Sequence, residues 1–199
     1  MATDRLDSMM VKVDLMRHGE PVGGRKYRGA IDDPLSERGW VQMKAVVGDH
    51  APWEQIVTSP LRRCHDFAIF LGETHDIPVL VEERFIELGF GAWEGLTGAE
   101  LRRQAPGCLR KFYHDPVANP PAGAEALKDF VGRVIPAWEE LIENHGGKRV
   151  LVVAHAGVMR AIVAHVLGMP LDRLFRLQIG NAALLSIRGD DERPPALVL

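Results

Sequence analysis

The amino-acid sequence predicts an α/β protein in which helices cover both faces of a mostly parallel central sheet. Short apolar runs of strand length alternate along the chain with longer stretches of helical periodicity, a pattern typical of parallel sheets. Two of the apolar runs are followed at once by a polar segment with a histidine, Arg17-His18 after the first and His155 after the second. The 199 residues fit one domain and contain no internal repeat.

The first half of the chain predicts three strands and two helices. The apolar run at 11–16 ends at a turn-forming Arg-His-Gly and reads as a buried strand. Helical spacing of apolar residues predicts a helix over 36–49, with Ser36 as its N-cap. A second strand at 55–58, a second helix at 60–75 and a third strand at 79–81 follow.

The second half predicts a long helix over 124–145, two more strands and another helix. Pro136 lies inside the long helix and should kink it, because proline removes a backbone donor and crowds the preceding turn. The run of apolar residues at 149–154 gives the clearest strand, followed by a helix over 156–167 and a final strand at 184–187. The apolar stripe of the long helix consists of Leu127, Phe130, Val131, Val134, Trp138, Leu141 and Ile142.

Composition limits the classes of partner and compartment. A formal net charge of −3 gives no reason to expect a nucleic-acid or membrane partner, so a local cluster of positive charge must hold any anionic substrate. Cys64 and Cys108 are too few for a disulfide scaffold, which favours a reducing, cytoplasmic location. Residues 1–10 are polar, carry no apolar run of signal-peptide length, and predict a flexible tail before a domain spanning 11–199.

The two histidines at strand ends suggest a common site. Ligands of parallel sheets bind beyond the carboxyl ends of the strands, where segments far apart in sequence meet. A neutral imidazole is a competent nucleophile toward phosphorus, and Arg17 beside His18 offers a guanidinium suited to phosphate. For an isolated Arg-His-Gly, a purely structural histidine remains an equally good interpretation.

Two further segments strengthen the interpretation as a phosphoryl-transfer site. Arg62 and Arg63 fall in the first turn of a helix that follows a strand, and neighbouring positions cannot both point into one cleft. Glu87 lies among apolar neighbours, an environment that favours a raised pKa and a role in proton transfer. Alone, the arginine pair would be a surface charge cluster and Glu87 a solvated loop residue.

Taken together, six motifs in order resemble the histidine phosphatase superfamily, also called the phosphoglycerate mutase-like family. The resemblance covers nearly the whole chain. The motifs are Leu15-Met16-Arg17-His18-Gly19-Glu20; Asp33-Pro34-Leu35-Ser36 with Gly39 and Gln42; Ser59-Pro60-Leu61-Arg62-Arg63-Cys64; Glu87 with Phe90-Gly91 and Trp93-Glu94-Gly95; Pro121-Ala122-Gly123-Ala124-Glu125; and Val152-Val153-Ala154-His155-Ala156-Gly157 with Arg160.

The resemblance implies a three-layer α/β/α sandwich and a phosphohistidine mechanism without a metal or organic cofactor. It implies that His18 is the nucleophile and Glu87 the general acid and then the base. The residues around the phosphoryl group would be Arg17, Arg63, which the family's spacing selects over Arg62, and His155. Arg28, Gly29 and Ala156 would contact the substrate, and Ala156 stands where the family usually has glycine.

The chain is shorter than the phosphoglycerate mutases of the family, which favours water as the phosphoryl acceptor and therefore hydrolysis. The segment 96–123 is the candidate lid over the site. The expected substrate is a small phosphorylated metabolite, and the appearance is nearest to short bacterial alpha-ribazole phosphatases, so alpha-ribazole 5′-phosphate is one candidate.

Several alternatives stay open from the sequence. Mutase-type phosphoryl transfer and a phospho-ligand binding protein with little turnover are both compatible with these motifs. A metal hydrolase built on the two histidines is weaker, because no Asp or Glu lies at ligand spacing beside His155. A homodimer is neither required nor excluded.

Overall fold

The central sheet has six strands, and four of them are parallel neighbours. The computed structural model describes residues 10–198, so most of the predicted tail at 1–10 lies outside the described residues. The strands are β1 (Val11–Arg17), β2 (Gln55–Thr58), β3 (Val79–Val81), β4 (Arg149–Ala154), β5 (Leu184–Gly189) and β6 (Ala196–Val198). Their order is β3-β2-β4-β1-β5-β6, in which the first four run parallel, β5 is antiparallel to β1, and β6 is antiparallel to β5.

Helices cover both faces of this sheet. The α-helices are α1 (Glu37–Val47), α2 (Arg62–His75), α3 (Gly98–Gln104), α4 (Cys108–His114), α5 (Leu127–Asn144) and α6 (Ala156–Val166). Three short 3-10 helices span Glu83–Phe85, Gly91–Trp93 and Leu171–Arg176. No helix within residues 10–198 combines the length and the apolar character needed to cross a bilayer.

Alternation along the strands builds two cores, one on each face. Leu15 packs with residues of α5 and α6, whereas the next residue, Met16, packs with residues of α1 and α2. Successive side chains of a strand point to opposite faces, so β4 is apolar at nearly every position. The predicted α/β sandwich with a mostly parallel sheet is confirmed.

The predicted elements differ from the observed ones mainly at their ends. Ser36 is the N-cap of α1, and its hydroxyl accepts a hydrogen bond from Gly39 N at 3.1 Å. The long helix begins at Leu127, three residues later than expected, because Ala126 is extended and Glu125 is used elsewhere. This helix runs through Pro136 to Asn144.

One strand, β6, and two α-helices, α3 and α4, were not predicted, nor were the three short 3-10 helices. Strand β6 is only three residues long and partly exposed, and its three apolar residues are too few to distinguish a strand from an irregular segment. Helices α3 and α4 are seven residues each, too short for an apolar period to be visible, and both lie in the segment 96–123.

Candidate active site

Three neighbouring parallel strands end at one edge of the sheet, and each is followed by a polar side chain. His18 follows β1, Ser59 follows β2 and His155 follows β4. The strand pairing continues past the strand ends, since His18 N donates to Ala154 O at 3.0 Å and Ser59 N donates to Val153 O at 3.1 Å. Residues from three distant parts of the sequence are therefore held side by side.

The imidazole of His18 is buried and has one nitrogen committed to the backbone. Its Nδ1 lies 2.7 Å from Gly19 O, and a carbonyl oxygen can only accept, so Nδ1 carries the proton and Nε2 keeps its lone pair. Burial, with the positive charges of Arg17 and Arg63, holds the pKa of His18 well below its usual 6.5. The side chain is therefore neutral at neutral pH, the form that a nucleophile requires.

His155 lies next to His18, with ring centroids 5.2 Å apart at an interplanar angle of 63°. Its Nε2 is 2.7 Å from Ser59 Oγ, and Cys64 Sγ lies 3.6 Å from the same nitrogen. Burial, followed by the charge of Arg63, lowers the pKa of His155 well below 6.5. This ring is thus also neutral, and it is fully enclosed.

The hydroxyl of Ser59 contacts this second histidine and fixes the orientation of its ring, although Ser59 was not predicted to be a site residue. Leu61 N donates to Ser59 Oγ at 3.4 Å, and the same oxygen lies 2.7 Å from Nε2 of His155. The signal was present in the sequence, because Ser59 directly follows the predicted strand at 55–58, as His18 and His155 follow theirs.

Two arginines flank the histidines from different elements. Arg17 donates through one terminal nitrogen to Ile179 O at 2.6 Å, and Arg63 donates to Ile31 O at 2.6 Å and to Gly29 O at 3.1 Å. The Nε atoms of both arginines are buried and have no hydrogen-bond partner among residues 10–198. Burial lowers the pKa of Arg17 to about 10, because the charged guanidinium loses solvation. The side chain is nevertheless still charged at neutral pH.

The neighbouring Arg62 points the other way. Its side chain is 57% exposed and lies 3.6 Å from Asp66, one turn along α2. Arg63 is fully buried at the start of the same helix. Adjacent helical positions diverge by about 100°, which is why only one of the two reaches the site.

Glu87 approaches from the loop before the second 3-10 helix and is 8% exposed. Its Oε1 accepts from Leu88 N at 2.9 Å and its Oε2 from Gly157 N at 3.1 Å, in the first turn of α6. A Cβ at position 157 would overlap Oε1 of Glu87. The carboxylate is thus fixed against the backbone of α6, close to His155 at the start of that helix.

These side chains open into a cavity of about 900 Å³. The charged residues that line it are Arg17, Glu20, Arg25, Lys26, Arg28, Arg63, Glu87 and Arg160. The aromatic ones are Tyr27, Phe90, Tyr113 and Phe175. His18 lines the cavity, and His155 lies behind it, fully buried. A positive and partly aromatic cavity with a neutral histidine in its wall can hold a phosphate ester for attack by an imidazole.

Two of the three residues expected to contact the substrate line the cavity, and the third does not. Ala156 lines the cavity at the start of α6. Arg28 also lines it, but its Nε bonds to Asp33 at 2.6 Å and its terminal nitrogens to Gly24 O and Val22 O. Gly29 is not among the lining residues; its carbonyl instead accepts from Arg63, so it lies behind that arginine.

The segment 96–123 reaches the cavity through one residue, Tyr113 of α4. The hydroxyl of Tyr113 lies 2.7 Å from that of Tyr27, across the mouth. Trp93, Leu101, Leu109 and Phe112 form a small separate core beneath this segment. Within residues 10–198, no three His, Cys, Asp or Glu side chains gather in a group that could hold a metal ion.

Comparison with known proteins places this architecture among phosphatases. A family model described as "Histidine phosphatase superfamily (branch 1)" matches residues 13–199. Phosphoserine phosphatase 1 of Hydrogenobacter thermophilus is 32% identical, over 96% of this chain and 92% of that protein. The structure of a mycobacterial glucosyl-3-phosphoglycerate phosphatase has a TM-score of 0.82 at 31% identity, covering 96% of this chain and 98% of that one.

An alpha-ribazole phosphatase from Shigella flexneri is also similar in structure. Its TM-score is 0.79 at 24% identity, over 95% of each chain. At this identity the likeness concerns the fold alone.

Proposed function

Because the chain belongs to the histidine phosphatase superfamily and is a phosphatase, we propose that it hydrolyses a small phosphomonoester through a phosphohistidine at His18. The observation that carries the proposal is the state of His18: a neutral imidazole whose Nδ1 is bound to Gly19 O and whose Nε2 has no hydrogen-bond partner among residues 10–198. Two guanidinium groups, those of Arg17 and Arg63, lie beside it with buried Nε donors unused by the described residues.

The reaction proceeds in two displacements at phosphorus. In the first, His18 Nε2 attacks, a P–N bond forms, the bond to the leaving oxygen breaks, and Glu87 gives that oxygen a proton. In the second, water attacks the phosphohistidine, Glu87 takes a proton from the water, and inorganic phosphate leaves with the P–N bond broken. Arg17, Arg63 and His155 stabilise the negative charge on the three equatorial oxygens in both steps.

The substrates to be tested first come from the names of similar proteins. Phosphoserine and glucosyl-3-phosphoglycerate are named for relatives of at least 31% identity, and alpha-ribazole 5′-phosphate for a structural neighbour. A cavity of about 900 Å³ accepts a leaving group considerably larger than that of phosphoserine.

The test is phosphate release from these esters and from p-nitrophenyl phosphate in EDTA, with the wild type beside His18→Ala. We expect chelator-resistant turnover that His18→Ala abolishes, together with an acid-labile, base-stable phosphoenzyme in rapidly quenched wild type. Arg62→Ala, which removes an arginine that faces away from the cavity, is the matched control and should keep full activity.

Three results would contradict the proposal. One is a His18→Ala variant that retains most of its activity, and another is turnover that EDTA abolishes. The third is transfer of the phosphoryl group to a second metabolite in preference to water, which would indicate a mutase.

A further inference from the structure

Arg160 lies on α6 one turn after Ala156, and its side chain lines the same cavity as His18. Two contacts fix its direction. Its Nε donates to Leu177 O at 2.8 Å, and its guanidinium carbon lies 5.2 Å from the ring centroid of Phe175. Its two terminal nitrogens donate no hydrogen bond to any residue in the range 10–198. Four N–H donors are therefore available to a ligand.

The segment that holds Arg160 also holds Arg17. Leu177 O accepts from Arg160, and two residues later Ile179 O accepts from Arg17. Leu177 is extended, with φ −77° and ψ 114°. Equivalent carbonyls two residues apart in extended chain are separated by about 7 Å. A single backbone segment thus anchors both guanidinium groups beside the same cavity.

The side chain of Arg160 has no carboxylate partner among residues 10–198, and it is partly buried, whereas Arg25 and Lys26, which also line the cavity, are exposed to solvent. Arg28 is paired with Asp33 at 2.6 Å, and a bound phosphoryl group would balance Arg17 and Arg63. Burial lowers the pKa of Arg160, which shows that its charge is partly desolvated, although Glu87 opposes this. The charge of Arg160 also lowers the pKa of Arg17. A second anion near Arg160 would relieve both costs.

We propose that Arg160 binds a second acidic group, such as a carboxylate, carried by the leaving group of the substrate a few bonds from the ester oxygen. This inference rests on the proposed function and narrows its substrate class to phosphomonoesters of acidic alcohols. Arg17 and Arg63 bind the phosphoryl group, while Arg160 binds the acid and sets the orientation of the leaving oxygen. Esters with an uncharged leaving group, such as alpha-ribazole 5′-phosphate, have no acidic group for Arg160 to bind, so Arg160 does not increase their affinity.

The experiment compares 3-phosphoglycerate with glycerol 3-phosphate, which differ in having a carboxylate or a hydroxymethyl group at the same carbon. Each is measured as a substrate and as a competitive inhibitor of p-nitrophenyl phosphate hydrolysis. We expect the wild type to favour 3-phosphoglycerate at least about tenfold in kcat/KM or in inhibition constant, the effect of one charge-assisted contact.

Arg160→Met keeps an apolar stem against Phe175 and removes the charge. We expect it to erase the preference through a rise in KM for 3-phosphoglycerate, while glycerol 3-phosphate changes less than about threefold. Arg160→Lys should recover part of the preference, because it restores the charge without the fork of donors. The matched control is Arg173→Met, since Arg173 pairs with Asp172 at 3.0 Å and does not line the cavity.

The inference is overturned if the wild type treats the two esters alike, or if Arg160→Met weakens both equally. The second result would mean that Arg160 acts on the phosphoryl group or on Glu87. Failure of the proposed function is a separate observation, namely no phosphate release even from p-nitrophenyl phosphate. In that case calorimetric titration of the same two esters still compares their Kd values in wild type and Arg160→Met.

Discussion

The carboxylate of Glu87 is held by two backbone amides, and one of them belongs to a residue with no side chain. Gly157 N donates to Oε2 at 3.1 Å, in the first turn of α6. A Cβ at this position would overlap Oε1 of Glu87 and would come within 3.3 Å of the ring of Phe130. Gly157 has ordinary helical backbone angles, so glycine is not needed there for its conformational freedom. It is needed because a side chain at this position would prevent the close approach of Glu87.

Gly157→Ala should displace Glu87 and impair proton transfer to the leaving oxygen. We expect kcat to fall about tenfold or more for an alkyl phosphate, because general acid catalysis typically contributes 10² or more. Hydrolysis of p-nitrophenyl phosphate should fall much less, since p-nitrophenolate leaves without a proton. Steady-state kinetics on the two esters gives this ratio.

The control for this variant is Gly132→Ala in α5. A Cβ at position 132 meets no atom within 4 Å, so this change should leave both activities intact and raise stability by about 0.5 kcal/mol. An equal loss on both esters in Gly157→Ala would show that the damage is to phosphoryl binding and not to Glu87.

At the scale of elements, α5 fixes the loop that carries Glu87. All five N–H groups of Arg133 are used: two bond to the carboxylate of Glu125 and three to the carbonyls of Arg84, Ile86 and Glu87. Glu125 also accepts from Gly89 N at 3.2 Å. A single guanidinium therefore joins a helix to the backbone on both sides of Glu87.

Arg133→Met should loosen this loop, leaving three carbonyls and a carboxylate without their donor. We expect the free energy of unfolding to fall by about 2 kcal/mol. The loss of kcat should again be larger for alkyl phosphates than for p-nitrophenyl phosphate. Denaturant titration and kinetics on both esters measure the two effects.

Arg84→Met is the matched control, because the Arg84 side chain pairs at the surface with Glu82 and Glu140, and exposed ion pairs contribute little to stability. If Arg133→Met lost stability without changing the ratio of activities on the two esters, Arg133 would be a structural residue only.

Most features that depend on the residues of a single strand or helix were predicted correctly from the sequence. Strand β4 is a continuous apolar run, and the rule for the carboxyl ends of parallel strands brought His18 and His155 together. The Arg133 network could not be predicted, because it joins three carbonyls some 46–49 residues away to a guanidinium that the sequence marks only as a charge in a helix. The direction of Arg160 likewise depends on the path of residues 177–179, which show no periodicity.

At the scale of the whole molecule, a net charge of −3 coexists with a strongly positive cavity. The positive charge is local: Arg17 and Arg63 lie against His18 and lower its pKa, and Arg63 does the same to His155. Folding therefore holds two histidines neutral that would bind protons in the unfolded chain. The catalytic state of the site and the pH dependence of stability have the same origin.

The sign of that dependence follows from proton linkage. Stability rises with pH wherever the unfolded state binds more protons than the folded one. For His18 and His155 this window opens below about pH 6.5, the unfolded pKa, and extends down to their lower folded pKa values. Within this window, each histidine should lower the free energy of unfolding by about 1.4 kcal/mol for every unit by which the pH falls. Above the window, neither histidine should change the stability with pH.

We expect wild-type protein to lose about 2 kcal/mol more stability between pH 7 and pH 5.5 than the double variant His18→Asn/His155→Asn. Urea titrations at both pH values measure this difference, and comparing the two proteins cancels the contributions of other titrating groups.

Buffers must be free of phosphate, because an anion between Arg17 and Arg63 would change the charge felt by both histidines. His114→Asn, which removes an exposed histidine, should follow the wild type. Equal pH dependence in wild type and double variant would mean that the two imidazoles are not held neutral, and the nucleophilic role proposed for His18 would lose its physical basis.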